Sequence, residues 1–433
     1  MPLIHSVEEV SLNNGAKGLL INVPGSTVVS FNIGFRAGND YAEESKHQTA
    51  HLMEHAIACG TYEGFSTQEQ FSLEFSKNGA KKNARTYDRH MIYIAEAALM
   101  EWERILDLLE VEITKPIFTS ETLKKEKGNV KEELLSNSDE YARIIWIHTR
   151  KATGGTRLTE DERITTIDNI DLSDVEAHYR TTHSLNNMRF TIVGDLLGHK
   201  DAITAKLGLW NLPTGQRLDA VKRPPKSAPV ICVHRDISNL AFGINIAIDR
   251  ELSRLERVSM SVLNRILNGS YHSRIFGKAR KQGICYHMGS VSSSDISGRS
   301  DWWIYGRVGK NNAAALFNLI SDQLGQVVKD GVSDEELSSA KDYLLGDYQL
   351  KGQTVKNLDE WYSLDYFDNE EIFFMDQYHE LIKSVSSQSV VNLAREFIKK
   401  GYWTMGAVGD ITEEQLAPYY KLFENLFGGR SDL

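Results

Sequence analysis

Residues 49–61 read Thr-Ala-His-Leu-Met-Glu-His-Ala-Ile-Ala-Cys-Gly-Thr, and the rest of the chain can be interpreted outward from them. His51 and His55 stand four residues apart, so a helix would place both imidazoles on one face, where they can share a metal ion. Glu54 precedes the second histidine and can take a proton from zinc-bound water, which the metal makes more acidic. The stretch therefore predicts a helix that carries a catalytic zinc site.

A catalytic zinc site needs a third protein ligand and an open position for water. His47 extends the histidine series by one turn, but it lies too far along the helix axis to join both others, so we expect a flanking role. The run E-K-G-N-V-K-E-E-L at residues 126–134 offers carboxylates on a long helix. Glu126 and Glu133 share a face of that helix. Spacing alone leaves Glu126, Glu132 and Glu133 open, and a charged helix usually turns such side chains to solvent.

The second half of the chain repeats landmarks of the first half. The strand-like run S-F-N-I-G-F at residues 30–35 resembles A-F-G-I-N-I-A-I-D at residues 241–249. Similarly, I-V-G-D at residues 192–195 recurs as A-V-G-D at residues 407–410. The two offsets are nearly equal, which indicates two tandem copies of one unit of strands and helices.

Paired prolines and polar residues mark residues 214–229 as an extended linker. We therefore predict an α+β fold with two tandem homologous domains at residues 1–213 and 230–433, each a mostly antiparallel sheet covered by helices. Within the first domain, apolar residues repeat at helical spacing over residues 99–117 and again over residues 120–149. Each of these stretches is predicted to be helical.

Composition restricts the function classes that remain. The chain has 433 residues, 41% hydrophobic and 25% charged, which is typical of globular domains. A net charge of -10 gives no basic footprint for nucleic acid. Three cysteines are too few for a disulfide framework and fit a reducing compartment. Because no signal peptide or membrane-length apolar run is found, we expect a soluble, cytoplasmic protein that binds neither nucleic acid nor membranes.

Taken together, three segments resemble the pitrilysin family of metallopeptidases, which includes insulin-degrading enzyme, mitochondrial processing peptidase and two-domain bacterial peptidases. Residues 49–61 match the family's metal helix, and G-A-K-K-N-A-R-T at residues 79–86 matches its Asn-Ala-x-Thr strand. Residues 126–134 match its downstream glutamate helix. The resemblance implies two similar domains that face one another like a clam shell, of which only the first holds metal.

The resemblance assigns roles to individual residues of this chain. It implies one Zn²⁺ per chain, with His51, His55 and Glu133 as its ligands. It also implies that Glu54 is the general base and that Glu126 is a supporting acid behind the site. The function implied is that of a zinc endopeptidase.

The substrate residues follow from the same resemblance. Asn83 and Ala84 match a sheet edge on which a peptide docks as an added strand. In S-R-I-F-G-K-A-R-K-Q-G-I-C-Y, Arg280 and Tyr286 match an arginine and a tyrosine that reach substrate and stabilise the oxyanion. The family usually separates these two residues by seven positions and this chain by six, so Ala279 is the alternative occupant of the arginine position.

Other hypotheses stay open beside the active peptidase. An isolated histidine pair on a helix face usually binds nothing, and relatives of this fold serve as noncatalytic subunits. The intact His-x-x-Glu-His motif favours an enzyme that acts on extended or unfolded peptides. Because four domains usually complete the family's chamber, we expect a homodimer, or a heterodimer with a related subunit on which activity depends.

Overall fold

The computed structural model describes residues 2–137 and 140–427. The first half of the chain contains β1 (Ser6–Ser11), β2 (Lys17–Asn22), β3 (Val28–Arg36), α1 (Thr49–Ala58), β4 (Thr61–Tyr62), α2 (Gln68–Ser76), β5 (Lys81–Thr86), β6 (His90–Ala98), α3 (Trp102–Thr114), β7 (Pro116–Ile117), α4 (Ser120–Asn137), α5 (Tyr141–Ala152), α6 (Glu160–Ile167), α7 (Leu172–Thr182), β8 (Met188–Gly194) and α8 (Lys200–Gly208).

The second half contains β9 (Ile231–His234), β10 (Asn239–Ile248), α9 (Arg254–Asn268), α10 (Phe276–Lys281), β11 (Cys285–Asp295), β12 (Arg299–Gly309), α11 (Ala313–Asp330), α12 (Asp334–Lys351), α13 (Val355–Asn369), α14 (Met375–Ser384), α15 (Ser387–Lys400), β13 (Tyr402–Gly409) and α16 (Glu413–Phe427). None of the described helices is both long enough and apolar enough to cross a membrane. The cytoplasmic location stays a prediction.

The chain divides into two compact units, each assembled from three segments. Unit 1 comprises Met1–Leu135, Glu160–Val221 and Gln349–Phe374; unit 2 comprises Ser136–Thr159, Lys222–Tyr348 and Met375–Leu433. Each half of the chain therefore gives one helix to the other half's unit: α5 belongs to unit 2 and α13 belongs to unit 1. The domain limits predicted from sequence, residues 1–213 and 230–433, remain a prediction for the two copies of the repeat. The compact units differ from these limits because α5 and α13 are exchanged.

Unit 1 is built on a six-stranded sheet with the order β1-β2-β8-β3-β6-β5. Only the β2–β8 pair is parallel, so the predicted mostly antiparallel sheet is confirmed. The central strand β3 buries Phe31, Ile33 and Phe35 in one apolar core with Leu52 and Met53 of α1. The alternation of core and opposite-face residues along β3 follows from the two-residue period of a strand.

Unit 2 repeats this sheet with the order β11-β12-β10-β13-β9, again with one parallel pair, β13–β9. The repeated sequence landmarks occupy equivalent places. The run at residues 30–35 lies in β3, which pairs with β8. The run at residues 241–249 lies in β10 up to its last residue, and β10 pairs with β13. The predicted internal repeat is therefore confirmed at the level of strand order.

A glycine on each sheet lets the exchanged helix approach closely. A Cβ atom at Gly34 of β3 would lie 2.7 Å from the ring of Phe367 on α13. A Cβ atom at Gly406 of β13 would lie 2.7 Å from Cδ1 of Ile145 on α5. Ile145 is fully buried against Trp303 in unit 2. These contacts give the exchange its physical reason, because each helix buries an apolar face on the sheet of the unit it joins.

The prediction that residues 120–149 are helical is wrong in one respect, because the described residues form two helices, α4 and α5, and not a single one. The described part of α4 ends at Asn137, α5 begins at Tyr141, and Glu140 is not helical. Serine and asparagine, which stand at positions 136 and 137, compete with helical hydrogen bonds and favour helix ends. The spacing of apolar residues carries no information about such an end.

A buried carboxyl group joins α13 to the sheet of unit 1. Asp359 is 1% exposed and accepts a hydrogen bond of 2.5 Å from Ser30 Oγ on β3. It also accepts one from the Thr191 hydroxyl on β8. Burial raises the pKa of Asp359 to about 7, against the lowering effect of these hydrogen bonds. The group is therefore mostly neutral in the folded protein below that pH.

We expect Asp359→Asn to change how stability depends on pH. Because the folded pKa of Asp359 lies above its unfolded value, its contribution is complete below the unfolded pKa and is lost as pH rises through about 7. The free energy of unfolding of the wild type should thus fall relative to the variant between acidic pH and pH 8, by on the order of 4 kcal/mol.

Urea unfolding of metal-free protein at several pH values measures this difference. The matched control is Glu360→Gln: Glu360 is the exposed neighbour on the same helix, and its charge makes only the smallest of the contributions that raise the pKa of Asp359, so its curve should run nearly parallel to the wild type. Parallel curves for wild type and Asp359→Asn would contradict the prediction.

Candidate metal centre

The helix α1 holds the two histidines because its other face is anchored in the core. Leu52, Met53, Ala56 and Ile57 are buried in the apolar core of unit 1. The spacing of these residues leaves a separate face of the helix for His51 and His55, as predicted from sequence. His51 is 8% exposed, which is unusual for a polar side chain and indicates that its nitrogens have partners.

The second element of the site is α4. Leu123, Val130 and Leu134 are buried on one side of this helix and fix its rotation against the core. That rotation brings the carboxylates of Glu126 and Glu133 to the histidines of α1. The expectation that these two glutamates share a helix face is confirmed.

Three potential ligand atoms converge between α1 and α4. Glu133 Oε2 lies 3.5 Å from His51 Nε2 and 3.4 Å from His55 Nε2. One ligand atom from each of these three residues falls within 4.8 Å of the others. Two imidazole nitrogens and one carboxylate oxygen form a donor set that suits zinc and leaves a coordination position open. Within residues 2–137 and 140–427, this is the one grouping of its kind.

Glu126 lies behind the site rather than in it. Its side chain is 1% exposed, and its Oε2 accepts a hydrogen bond from His55 Nδ1 at 3.1 Å. Asn129 donates to the same oxygen at 3.0 Å. A carboxylate on the far nitrogen fixes the tautomer and orientation of a ligating imidazole and raises its basicity. This position agrees with the supporting role that the family resemblance implied for Glu126.

The site is electrostatically coupled in the absence of metal. Burial alone would lower the pKa of His55, but its hydrogen bonds to Glu133 and Glu126 outweigh burial and raise that pKa. The imidazoles of His51 and His55, which contact the carboxylate through their Nε2 atoms, hold the pKa of Glu133 well below its ordinary value. The carboxylate therefore stays ionised, as a metal ligand must.

The structure separates the alternatives that spacing left open. Glu132 is exposed, and the carboxylate facing both Nε2 atoms is that of Glu133. His47 precedes α1, and its Nδ1 contacts the amide of Gln48 rather than the three convergent atoms. Glu54 lies on α1 between the two histidines of the sequence, and its side chain is half-buried. These placements leave His47 outside the candidate site and Glu54 beside it.

The predicted substrate residues lie on an edge strand. Asn83 and Ala84 belong to β5, which pairs with β6 and is the last strand of the sheet among the described residues. Asn83 is exposed and lines a groove of about 540 Å³ together with Arg85 of the same strand. The pKa of Arg85 is raised first by a hydrogen bond to Tyr87 and further by carboxylates that include Glu54. Ala84 points to the other face and packs on the core of unit 1.

Arg280 and Tyr286 meet one another in unit 2. The Arg280 guanidinium carbon lies 3.8 Å from the centre of the Tyr286 ring, at cation–π distance. Tyr286 is 76% exposed, whereas Ala279 is fully buried in the core. Arg280, and not Ala279, is therefore the residue of this pair that solvent or a ligand can reach. In the same unit, α9 buries Leu263 in the core.

Sequence reasoning missed the residues behind His51. Gln48 is fully buried with its Oε1 3.2 Å from His51 Nδ1, and Arg163 of α6 donates to the same oxygen at 3.1 Å. Gln48 could have been noticed, since it lies one helical turn before His51. Nothing in the sequence links Arg163 to it across 115 positions.

Comparisons with known proteins give the family context. The family model described as insulinase (peptidase family M16) matches residues 18–159, and the model described as peptidase M16 inactive domain matches residues 169–344. The chain is 22% identical over 401 residues to an uncharacterized zinc protease, YmxG, of Bacillus subtilis, covering 90% of this chain and 93% of that protein. It is 24% identical over 242 residues to the mitochondrial-processing peptidase subunit beta of Mus musculus, covering 47% and 49%.

Other relatives and solved structures agree on the fold. A protein of Helicobacter pylori described as non-peptidase homolog YmxG is 21% identical over 337 residues, covering 75% of this chain and 76% of that protein. A protease structure from Helicobacter pylori aligns with a TM-score of 0.83 at 16% identity, and an M16 inactive-domain structure from Pseudomonas fluorescens with 0.82 at 17%. Each alignment covers 94% of this chain and at least 99% of the other. Two family models, in chain order and over most of residues 18–344, together with the repeated sheet, show that this chain belongs to the pitrilysin-type M16 (insulinase) peptidase family.

Proposed function

We propose that this chain is a zinc-dependent endopeptidase that hydrolyses peptides or unfolded segments bound as an extended strand. The observation that carries the proposal is the convergence of His51, His55 and Glu133 within 4.8 Å, with Glu54 on the same helix as the histidines. The zinc protease names of two relatives support it at family level. One Zn²⁺ per chain is proposed, because three ligands and one open position complete a catalytic zinc site.

Zinc held by His51, His55 and Glu133 would supply a Lewis acid that polarises a peptide carbonyl and makes bound water more acidic. Glu54 then has the role of general base: it takes the proton of the attacking water and returns it to the leaving amine. Glu126 holds the ring of His55 so that Nε2 faces the ligand cluster. Glu133 stays ionised through its histidine contacts and supplies the negative charge of the ligand set.

The position of β5 at the end of the described sheet supports the proposed mode of substrate binding. A peptide added beside Asn83 and Ala84 would form main-chain hydrogen bonds, which do not depend on its sequence. Such binding requires an extended segment, so unfolded proteins and peptides are the proposed substrates. We further propose that Arg280 and Tyr286 bind substrate carbonyl oxygens and stabilise the oxyanion. The cytoplasmic location and the dimeric state remain proposals.

Glu54→Gln is expected to keep zinc near one per chain and to lower peptide turnover by about 10²- to 10⁴-fold, because it removes the base but no ligand. Metal analysis and cleavage of a quenched fluorescent peptide library measure the two quantities. Wild-type turnover that survives in Glu54→Gln would remove Glu54 from the mechanism. A wild type that binds no zinc would remove the site itself.

The ligand assignment is tested by neighbouring glutamates on one helix. Glu133→Gln is expected to weaken zinc binding by at least about 10²-fold, because it removes a charged ligand. Glu132→Gln is the matched control, since Glu132 is exposed on the same turn and its loss should leave zinc affinity unchanged. Competition with a chromophoric chelator measures both, and equal affinities for the two variants would contradict the assignment.

A partner-dependent subunit is the second candidate. The guanidinium of Arg280 already contacts the ring of Tyr286, in a segment one residue shorter than the family pattern. The relative described as a non-peptidase homolog also supports this alternative. In this case residues from another chain would complete the site.

For the first candidate, we expect Arg280→Ala to lower turnover by about 10- to 10³-fold without changing zinc content, because it removes a group that stabilises the oxyanion. Lys281→Ala, which alters an exposed cation next to it, is the control and should be near wild type. Mixing Arg280→Ala with Glu54→Gln tests whether two copies of this chain share a site, and restored turnover would identify such sharing. Turnover by the wild type alone without restoration in the mixture supports a site completed within one chain, whereas a wild type that binds zinc but cleaves no peptide identifies dependence on a different subunit.

A further inference from the structure

The imidazole nitrogens that face away from the candidate zinc site have different partners. His55 Nδ1 donates to the carboxylate of Glu126 at 3.1 Å. His51 Nδ1 lies 3.2 Å from the amide oxygen of Gln48, which belongs to the residue just before α1. One ligating histidine is thus supported by an anion and the other by a neutral amide. Only the first of these supports was implied by the family resemblance.

The orientation of the Gln48 amide is fixed by Arg163. Oxygen and nitrogen of a side-chain amide are distinguished only through their hydrogen-bond partners. A guanidinium can only donate hydrogen bonds, so the Gln48 atom at 3.1 Å from Arg163 Nη2 must be the oxygen. The other end of the amide agrees with this, because its nitrogen lies 2.9 Å from His47 Nδ1, which can accept.

This orientation determines the tautomer of His51. Since Gln48 Oε1 can only accept, the hydrogen between it and His51 Nδ1 must belong to the imidazole. A neutral imidazole with hydrogen on Nδ1 presents the lone pair of Nε2. Nε2 is the nitrogen that faces Glu133 at 3.5 Å and that a metal ion would use. The opposite tautomer would place a hydrogen where a ligand lone pair is needed.

The supporting groups are themselves rigidly placed. Gln48 is 0% exposed and Arg163 is 3% exposed. Arg163 Nη1 lies 3.4 Å from Glu160 Oε1, and both residues belong to α6. The charge of Arg163 is therefore balanced by the carboxylate of Glu160. The hydrogen bond from Arg163 to Gln48 connects α6 to the start of α1. Buried polar groups with satisfied partners hold their geometry better than exposed ones.

We propose that Gln48 is a positioning residue that holds His51 in the Nδ1–H tautomer for zinc, and that Arg163 fixes the amide orientation that makes this possible. The proposal rests on the zinc site of the proposed function but not on peptide hydrolysis. It also assigns unequal electronic support to the two histidines. The carboxylate of Glu126 makes His55 a stronger donor, whereas an amide already engaged by Arg163 leaves His51 closer to an ordinary neutral imidazole.

Two substitutions of Gln48 separate positioning from packing. Gln48→Met keeps the length of the side chain and removes the acceptor, so zinc affinity should fall by about 10- to 100-fold. Gln48→Glu keeps an oxygen that can accept from both His51 and Arg163, and its charge should support His51 as Glu126 supports His55, so zinc affinity should equal or exceed that of the wild type. Gln70→Met, at an exposed position of α2, is the control for replacing a glutamine by methionine away from the site. Chelator competition measures the affinities, and thermal unfolding of the metal-free variants shows that each is folded.

Nitrogen-15 NMR of histidine-labelled protein gives a readout that does not require zinc binding or activity. In the wild type and in Gln48→Glu, a His51 Nδ1–H signal protected from exchange is expected, and in Gln48→Met it should be lost. Wild-type affinity in Gln48→Met, or an unprotonated His51 Nδ1 in the wild type, would overturn the inference. A wild type that binds no zinc but shows the Nδ1–H signal would instead refute the proposed function and leave the tautomer assignment standing.

Discussion

The meeting of two imidazoles on α1 with a carboxylate on α4 is the constraint on which the rest of the site depends. Neither helix supplies a site alone: α1 has two nitrogens at one-turn spacing, and α4 adds the charge that balances a divalent cation. The rotation of each helix is set by its apolar face, through Met53 on α1 and Val130 on α4. Core packing in unit 1 thus controls ligand geometry, because a helix rotated by one residue would present a different side chain.

The supporting hydrogen bonds extend this control outward. Glu126 comes from α4 and Arg163 from α6, so the two histidines of α1 are held from different directions. The low exposure of Glu126 and Gln48 keeps water from competing for the imidazole hydrogens. A site of this kind is preorganised before metal binds, which reduces the ordering that binding would otherwise require.

The sequence predicted the features that depend on the spacing of neighbouring residues or on a repeated sequence pattern. The spacing of His51 and His55 is local, and the repeat of strand landmarks fixed the fold class and the equivalence of β3 with β10. The choice of Glu133 over Glu132 depends on how α4 is rotated, so only the family resemblance could make it. The Gln48–Arg163 contact and the docking of α13 join residues more than a hundred positions apart. Periodicity carries no information about such pairs.

The exchange of α5 and α13 between the halves of the chain has a consequence for biosynthesis. The central strand β3 is made early, yet the helix whose Phe367 covers Gly34 is translated more than three hundred residues later. While the ribosome is still synthesising the second half, the face of the first sheet that carries Ser30, Gly34 and Thr191 lacks the helix that packs on it. Unit 1 therefore reaches its full set of contacts only after residue 374 has left the exit tunnel, so completion of the first unit must wait for synthesis of most of the second half.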